Sequence, residues 1–304
     1  MLSQPLITAI VSTYNAEIFI KGCIEDLIAQ TIFDELEILI IDSGSTQNES
    51  AICESFAKKH KQITLIRTER EPLYTAWNRA IHIAKGKYLT NANTDDRHSP
   101  NFMEIMANTL ENRSEIGLVY SEQYISTIEN ETFEQCQKRA ANIRHLPNYA
   151  PEELILRCMT GGQPMWRKSI HDTLGFFETN YKIAADYDMW LRIAEQFDFF
   201  HIPGPLGSVY ESPDTISGSD NIRELNTEIL SIQKHHLSKE KWRNLPGIKQ
   251  KLASELFGRG YQRITHDNDN KAAEPFFRQA IKLDPTNLNY LKTYFVRCVL
   301  DIKR

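Results

Sequence analysis

Two adjacent carboxylates, Asp95 and Asp96, are the residues of this sequence whose chemistry is easiest to interpret. They follow residues 87–91, a short segment that we predict to be a buried strand. Two neighbouring carboxylates raise each other's electrostatic energy, and a hard divalent cation carried by phosphate relieves it. The pair could also be a solvated turn ahead of the helix that follows Ser99 and Pro100. The strand before it favours metal binding, so we predict a divalent metal site here.

Three other polar residues each have a chemical and a structural interpretation. Asp42 ends a second apolar run and could accept hydrogen bonds from a base or ribose, or start an Asx turn. Tyr14 could stack on a planar base or pack partly into the core. Asp186 opens a predicted helix, where aspartates usually act as caps; a general base there would need an acceptor hydroxyl within hydrogen-bond reach. Asp188 would face elsewhere on that helix, so the two do not form a shared-proton pair.

Apolar runs alternate with amphipathic stretches in the first part of the sequence, as in α/β proteins. The predicted strands are residues 6–12, 36–41, 62–67, 87–91 and 116–121. The predicted helices are residues 20–28, 49–60, 74–84, 101–112 (capped by Ser99), 151–158 and 186–196. Residues 122–150 have no clear pattern. We therefore predict a Rossmann-like, mainly parallel sheet with helices on both faces.

Polar segments follow three of the predicted strands, at residues 12–15, 42–45 and 93–96. Parallel sheets bind ligands beyond the carboxyl ends of their strands, so we expect the site there. The turn after the first predicted strand contains no glycine, which excludes dinucleotide-binding proteins with a GxGxxG motif. No GxxxxGK(S/T) motif occurs either, which excludes P-loop nucleotide-binding proteins. The same turn argues against a nucleotidyltransferase, which needs a glycine-rich basic loop for a triphosphate.

Length and charge indicate a chain of two parts. The 304 residues correspond to about two domains at roughly 150 residues each. Residues 1–215 hold 19 Lys and Arg against 30 Asp and Glu, and residues 216–304 hold 16 against 10. Neither part has the dense basic stripe of a nucleic-acid-binding protein. Five scattered cysteines, no apolar run of about 18 residues and no basic leader indicate a cytoplasmic protein with reduced thiols.

We predict a catalytic domain at residues 1–215 and a helical region at 216–304, joined through a Pro-, Gly- and Ser-rich boundary or lid at 203–220. Residues 249–285 resemble a tetratricopeptide unit: Ala273, Phe277, Ala280 and Pro285 match its second helix, whereas the first helix matches poorly. One unit cannot form a solenoid, so we expect a helical cap on the main domain, with protein binding as the alternative. Peripheral contact with the inner face of a membrane is also left open, although the charge is diffuse.

Four motifs, in the same order and at similar separations, resemble those of the family 2 glycosyltransferases. They are Ser12-Thr13-Tyr14-Asn15, Ile41-Asp42-Ser43-Gly44-Ser45-Thr46, Asn93-Thr94-Asp95-Asp96 and Asp186-Tyr187-Asp188-Met189-Trp190-Leu191-Arg192. Weaker similarities are Gln30-Thr31, Ala76-Trp77-Asn78 before Gly86-Lys87-Tyr88, and Gly161-Gly162-Gln163-Pro164 before Leu174-Gly175-Phe176-Phe177. The resemblance covers about residues 5–213.

This resemblance implies an A-type glycosyltransferase fold that uses a nucleotide-sugar donor and a divalent metal, Mn²⁺ or Mg²⁺, usually with inversion at the anomeric carbon. It assigns the donor-binding residues as Thr13, Tyr14, Asn15, Asp42, Asn78 and Asp95. By the same analogy Asp96 is the direct metal ligand and Asp186 is the general base.

The sequence departs from the family pattern in three places. Ser43 replaces the commoner second aspartate, Ala185 stands where a glutamate often precedes the base, and Glu211 follows Tyr210 where a Tyr-Arg pair is frequent. The resemblance predicts transfer from a UDP-sugar to a hydroxyl of a carbohydrate or lipid-linked acceptor, in glycan or polysaccharide biosynthesis. The alternative is a non-catalytic adaptor that keeps the fold and binds a protein partner through its helical tail.

Overall fold

The computed structural model describes residues 4–212, 221–265 and 269–300. The chain divides into two compact units. The first consists of Met1–Tyr149 and Cys158–Glu228, and the second of Ala150–Arg157 and Ile229–Arg304. The division falls within one long helix. The boundary predicted at residue 215 lies outside the described residues and stays a prediction.

In the first unit, the described residues form a nine-stranded sheet. Its strands are β1 Ile7–Thr13, β2 Leu36–Asp42, β3 Ile63–Arg67, β4 Tyr88–Asn91, β5 Arg97–His98, β6 Ile116–Ser126, β7 Ile143–Arg144, β8 Met165–Arg167 and β9 Asp198–Tyr210. Their order is β3-β2-β1-β4-β8-β6-β9-β5, with β7 paired to β6. The sheet is mixed. β3, β2, β1 and β4 are parallel neighbours, β8 is antiparallel to both β4 and β6, and β6 pairs with β9 in parallel.

This topology gives several strands a common edge. Thr13 and Asp42 are register partners at the carboxyl ends of β1 and β2, and the parallel β4 ends at Asn91, opposite Ile10 of β1. Because β8 runs the other way, the loop that precedes Met165 lies at the same edge. β9 also ends there, at Tyr210. Five chain segments therefore lie at the end of the sheet where the parallel strands have their carboxyl ends, which is where a ligand is predicted to bind; we call this end the ligand edge.

Helices cover both faces of this sheet, as predicted. The helices of the first unit are α1 Glu17–Ile28, α2 Glu49–Ala57, α3 Leu73–Ile83, α4 Phe102–Glu111, α5 Phe133–Lys138, α7 Ile170–Leu174, α8 Ala185–Ile193 and the first part of α9 Ile222–His236. Alternate residues of a strand face opposite sides, and Ile7, Ala9 and Val11 pack with α1, α2 and α4. On the other face Trp166 of β8 contacts Trp190 of α8, with ring centroids 5.2 Å apart. The predicted α/β fold class is confirmed.

Two local predictions were wrong. Residues 203–210 belong to β9 and are not a loop; Pro203 and Gly204 lie where the β6 pairing jumps from Ile202 to Pro205, so the missing amide of Pro203 disturbs no ladder bond. The rest of the predicted lid, residues 213–220, lies outside the described residues. Ser99 does not cap α4, since the amide of Met103 donates to Gln30 Oε1 at 3.0 Å.

The unassigned stretch 122–150 continues β6 and then forms α5 and β7. A capping box starts α5: Thr132 Oγ1 accepts from the amide of Gln135, whose side chain accepts from the amide of Thr132. This helix was missed because six residues are too few to show a hydrophobic period.

The second unit is all helical in the residues described. Its helices are α6 Pro151–Leu154, the rest of α9, α10 Glu240–Arg243, α11 Ile248–Thr265, α12 Asn270–Leu283 and α13 Leu288–Tyr294. α11 and α12 pack closely because Gly260 lacks a side chain; a Cβ there would lie 2.8 Å from the Phe277 ring. Ala273, Phe277 and Ala280 are fully buried, and the tetratricopeptide assignment stays a prediction. Of the helices described, none is long and apolar enough to cross a membrane.

Candidate active site

Asp42 occupies the end of β2 and is fully buried. The amide of Ser45 donates to its Oδ1 at 2.9 Å, and the Ser50 hydroxyl and Arg67 bind Oδ2. Burial acts to raise the pKa of Asp42, but the hydrogen bonds from Ser50 and Ser45 outweigh it and lower the pKa below its usual value. The carboxylate is therefore charged at neutral pH. The bond from Ser45 is that of an Asx turn, and the binding of a base or ribose by Asp42 stays a prediction.

The turn after β1 places Tyr14 and Asn15 beside the turn after β2. Tyr14 is 43% exposed, and the Arg70 guanidinium carbon lies 3.8 Å from the centroid of its ring. Asn15 Oδ1 accepts from the amide of Thr46 at 2.9 Å and so joins the two turns. Gly44 has φ +74°, and a Cβ there would lie 2.9 Å from the backbone nitrogen of Arg70. The close approach of these segments leaves the exposed face of an aromatic ring at the sheet edge.

Two hydroxyl groups at this edge are buried without a hydrogen bond in the described residues. They are Thr13 Oγ1, at the end of β1, and Ser43 Oγ, just after β2. The two positions are adjacent because the amide of Ser43 donates to the Thr13 carbonyl at 3.0 Å. Buried polar atoms usually have partners, so an orphaned pair is a place where a ligand could supply them.

Asp96 is held between the loop after β4 and the end of β9. Asn93 Nδ2 donates to its Oδ2 at 2.9 Å, and the amide of Tyr210 donates to its Oδ1 at 3.3 Å. Burial raises the pKa of Asp96, and the neighbouring charge of Asp95 raises it further. Burial also raises the pKa of Asp95. The pair is thus a costly concentration of negative charge that a cation would stabilise.

The donor set at this pair fits a hard divalent cation. Carboxylate oxygens are the ligands that Mg²⁺ and Mn²⁺ prefer, and such ions are commonly bound by one or two carboxylates together with substrate phosphates. In the part of the chain that the structure describes, no group of three or more His, Cys, Asp or Glu side chains is placed to hold a metal ion. A cation at Asp96 would therefore take its remaining ligands from phosphate or water.

A buried glutamine pair braces the loop 160–164 against Asp96. Gln123 Nε2 donates to Gln163 Oε1 at 3.1 Å, and Gln163 Nε2 donates to the Arg97 carbonyl at 3.0 Å. Gln123 Oε1 accepts from the amide of Gly162 at 3.3 Å, and a Cβ on Gly162 would lie 3.5 Å from Asp96 Oδ2. These contacts fix the backbone on which Asp96 sits.

Asp186 lies in the first turn of α8 and is partly buried. Its Oδ1 accepts from the Tyr74 hydroxyl at 3.1 Å and from the amide of Tyr187 at 2.8 Å. Tyr74 belongs to the first turn of α3, which follows the carboxyl end of β3, so this contact places Asp186 at the ligand edge. Burial raises the pKa of Asp186 to about 6, although the hydrogen bonds from Tyr187 and Tyr74 oppose the rise. A carboxylate with this pKa is ionised at neutral pH and a better proton acceptor than an ordinary aspartate.

Glu228 of α9 fixes the segment that leads into Asp186. Its Oε1 accepts from the amide of Lys182 at 2.7 Å, and its Oε2 accepts from the amides of Ile183 and Ala184 at 2.9 and 2.8 Å. The Ala184 that precedes α8 offers no capping side chain, so Glu228 supplies one from another helix. Its negative charge also raises the pKa of Asp186.

Asn78 differs from the other predicted donor-binding residues in its surroundings. Its Nδ2 donates to the Phe177 carbonyl at 2.9 Å, and its Oδ1 accepts from the Phe177 amide at 3.0 Å. The side chain thus ties α3 to the segment before α8. Its assignment to the donor stays a prediction.

Glu211, a departure from the family pattern, forms an ion pair with Arg144 of β7. Both side chains are partly exposed, at 48% and 35%. Arg144 is close enough to Asp96 for its charge to lower the pKa of that carboxyl, against the larger effect of burial.

Sequence reasoning missed three residues of this site: Tyr74, Glu228 and Arg144. Tyr74 stood at the start of a predicted helix, where an aromatic residue gives no functional signal. Glu228 and Arg144 lie in regions without a family motif, and only the tertiary contacts identify them.

Comparison with known proteins is consistent with this geometry. The model of "Glycosyl transferase family 2" matches residues 8–175. The chondroitin synthase of Escherichia coli is 25% identical over 198 residues, which cover 65% of this chain and 28% of that protein. An uncharacterised glycosyltransferase of Methanocaldococcus jannaschii is 26% identical over 201 residues, which cover 65% of this chain and 68% of that protein. The chain thus spans little more than a quarter of the first relative and about two thirds of the second.

Solved structures share the fold at lower identity. S. aureus TarS 1–349 in complex with UDP has a TM-score of 0.67 and 16% identity, over 97% of this chain and 88% of that one. The mannosyltransferase PcManGT from Pyrobaculum calidifontis, in complex with GDP-Man and Mn²⁺, has a TM-score of 0.54 and 15% identity, over 99% and 88%. The family model covers more than half of the sequence, and the chain belongs to glycosyl transferase family 2.

Proposed function

We propose that this glycosyltransferase transfers a sugar from a UDP-sugar to an acceptor hydroxyl, with a divalent metal and with inversion at the anomeric carbon, in glycan or polysaccharide biosynthesis. The observation that carries the proposal is a carboxylate of raised pKa, Asp186, at the same sheet edge as the acidic pair of Asp95 and Asp96. Solved relatives of the same fold contain UDP, GDP-Man and Mn²⁺, which supports a nucleotide-sugar donor and a metal.

The nucleoside of the donor would lie over the turns after β1 and β2. The exposed Tyr14 ring offers a stacking surface, and Asp42 and the orphaned hydroxyl of Thr13 offer hydrogen-bond partners to base and ribose. Asn15 holds the two turns together. We propose Asn78 as a further donor-binding residue on the basis of the family resemblance.

The diphosphate would lie beside Asp95 and Asp96, with Asp96 as the protein ligand of Mn²⁺ or Mg²⁺. When bound, the metal stabilises the negative charge that develops on the leaving diphosphate. Asn93 and the backbone of Tyr210 orient the two Asp96 oxygens.

Asp186 acts as the general base. The acceptor oxygen forms a bond to the anomeric carbon, the bond from that carbon to the diphosphate oxygen breaks on the opposite face, and the hydroxyl proton passes to Asp186. Oδ1 already accepts two hydrogen bonds from Tyr74 and Tyr187, so Oδ2 is the oxygen directed to the acceptor. Base catalysis of this kind contributes about 10²–10⁴-fold to the rate.

The acceptor is proposed to be a carbohydrate or a lipid-linked carbohydrate, bound in the cytoplasm or at the inner face of the membrane. The helical region is proposed to serve as a cap or, through its tetratricopeptide-like segment, to bind a protein partner. Residues 1–215 are proposed as the catalytic domain.

The test is a thermal-shift panel of UDP, GDP, UDP-GlcNAc and GDP-mannose with and without Mn²⁺, followed by measurement of nucleotide release. A ligand at about 100 times its dissociation constant stabilises by about 2.7 kcal/mol, which such a panel detects. We expect Asp186→Asn to keep nucleotide binding and lose catalysis, while Asp172→Asn, at an exposed position of α7, changes neither. A wild-type protein that neither binds nor turns over any of the four would refute the proposal and favour the adaptor.

A further inference from the structure

The negative charge of Glu211 lies close to the proposed diphosphate position. Glu211 directly follows Tyr210, whose amide donates to Asp96 Oδ1 at 3.3 Å. The amide of Glu211 donates to the Ser126 carbonyl at 2.8 Å, so its backbone is fixed as well. An uncompensated carboxylate here would repel a donor diphosphate. The ion pair with Arg144 is what offsets that charge.

A second set of contacts places Arg144 at the same point. Arg144 is the register partner of Gln123 across the antiparallel β6 and β7 pair, so both side chains lie on one face of the sheet. Gln123 binds the amide of Gly162, whose Cα faces Asp96 Oδ2. Arg144 is therefore linked to Asp96 through Glu211 on one side and through Gln123 on the other.

Arg97, the cation next to the acidic pair in sequence, is already engaged. It is 3% exposed, and its guanidinium nitrogens donate to the carbonyls of Thr94 and Asp96 and to Asn130 Oδ1. The Arg144 side chain is 35% exposed and has a carboxylate partner that is itself half in solvent. Exposed ion pairs are weak, so a diphosphate can draw the guanidinium away from Glu211 or share it.

We propose that Arg144, positioned by Glu211, is the side chain that contacts the donor diphosphate in this protein. The inference rests on the proposed function. Arg144 of β7 supplies the positive charge that the family resemblance places directly after Tyr210. Glu211, which alone would repel a diphosphate, holds the Arg144 guanidinium in position. The planar guanidinium matches two phosphate oxygens at once, which a single ammonium group does not.

The test measures binding of UDP and UMP to the full chain by calorimetry, with EDTA and separately with Mn²⁺, and repeats it with GDP and GMP. We expect Arg144→Ala to weaken diphosphate binding about 10-fold or more and monophosphate binding less than about 3-fold, because Arg144 reaches the outer phosphate. Arg144→Ala combined with Glu211→Arg returns the cation to the position after Tyr210 and restores diphosphate binding. Arg157→Ala, which removes a comparably exposed Arg–Glu pair in the second unit, changes none of these affinities.

The outcomes separate the two proposals. Wild-type affinity for the diphosphates in Arg144→Ala, or equal loss for diphosphates and monophosphates, overturns the role of Arg144 while the proposed function stands. A wild-type protein that binds none of the four nucleotides refutes the proposed function and this inference with it. Unfolding midpoints of each variant show whether a loss of binding reflects a loss of folding.

Discussion

Replacing Tyr74 with phenylalanine is expected to shift the pH dependence of catalysis to higher pH. The Tyr74 hydroxyl donates to Asp186 Oδ1 at 3.1 Å and stabilises the ionised carboxylate. Without that bond the charged form loses stabilisation and the pKa of Asp186 rises above about 6. The phenyl ring keeps the packing against Trp77 and Phe177, so the change acts only on the contacts of the hydroxyl.

The size of the shift follows from the geometry of the hydroxyl. A hydrogen bond to a charged group contributes about 1.5–3 kcal/mol, and about 1.36 kcal/mol corresponds to one pKa unit. Tyr74 has one proton, and its hydroxyl also lies 2.7 Å from the Ile183 carbonyl, closer than to Asp186. Sharing reduces the effect, so we expect the pKa of Asp186 to rise by about 0.5–1 unit. At about pH 6 the ionised fraction then falls roughly 2–5-fold, and at about pH 8.5 it hardly changes.

The assay is kcat/KM for sugar transfer or donor hydrolysis between about pH 5 and pH 9. The matched control is Tyr88→Phe, which removes a tyrosine–carboxylate bond to Glu111 at 2.9 Å, at the amino end of β4. That variant should leave the profile in place. If the acid limb of the kcat/KM profile does not move in Tyr74→Phe, or if kcat/KM falls by the same factor at every pH, the assignment of Asp186 as the titrating base is refuted.

Four other variants test further contacts, two in the first unit and two in the second. Glu228→Gln removes the negative charge that raises the pKa of Asp186, so the acid limb should move to lower pH; movement to higher pH would contradict the contact. Asp186→Asn should raise the unfolding midpoint near pH 7.5 and leave it unchanged near pH 4. The pKa of Asp186 is about 6 in the folded protein, against about 3.9 in an unfolded chain, so the ionised carboxyl destabilises the fold as the pH rises between those values. Gly258→Ala should stabilise α11 by about 0.5–1 kcal/mol, since no atom lies within 4 Å of the added Cβ. Gly260→Ala should destabilise α11, because its Cβ would lie 2.8 Å from Phe277. A calorimetric unfolding midpoint that is higher for Gly260→Ala than for Gly258→Ala would contradict this packing.

Sequence pattern predicted the regular part of the fold well, because strands buried on both faces are continuous apolar runs. Residues 36–41 were predicted as a strand, and β2 is Leu36–Asp42, buried at every position. The antiparallel β8 could not be predicted in the same way. Only three residues long, Met165–Arg167 shows no period and is recognised as a strand through its pairing with β4 and β6.

Candidate site residues could be named from the sequence where they follow a strand and lie in a motif, as Asp42 and Asp96 do. Their partners could not, since those contacts join distant segments. Glu228 meets the amides before Asp186 across more than forty residues, and Arg144 meets Glu211 across 67. No local pattern marks either residue, because surface glutamates and arginines are common and the significance of these two depends on which side chains the topology brings beside them.

The position of Glu228 also sets how short a working fragment can be. A piece trimmed at residue 215, where the charge of the sequence changes sign, would lack Glu228 and leave the amides of Lys182, Ile183 and Ala184 without their acceptor. Shortening this enzyme for crystallisation or engineering would therefore have to retain α9, even though that helix lies beyond the last recognisable motif.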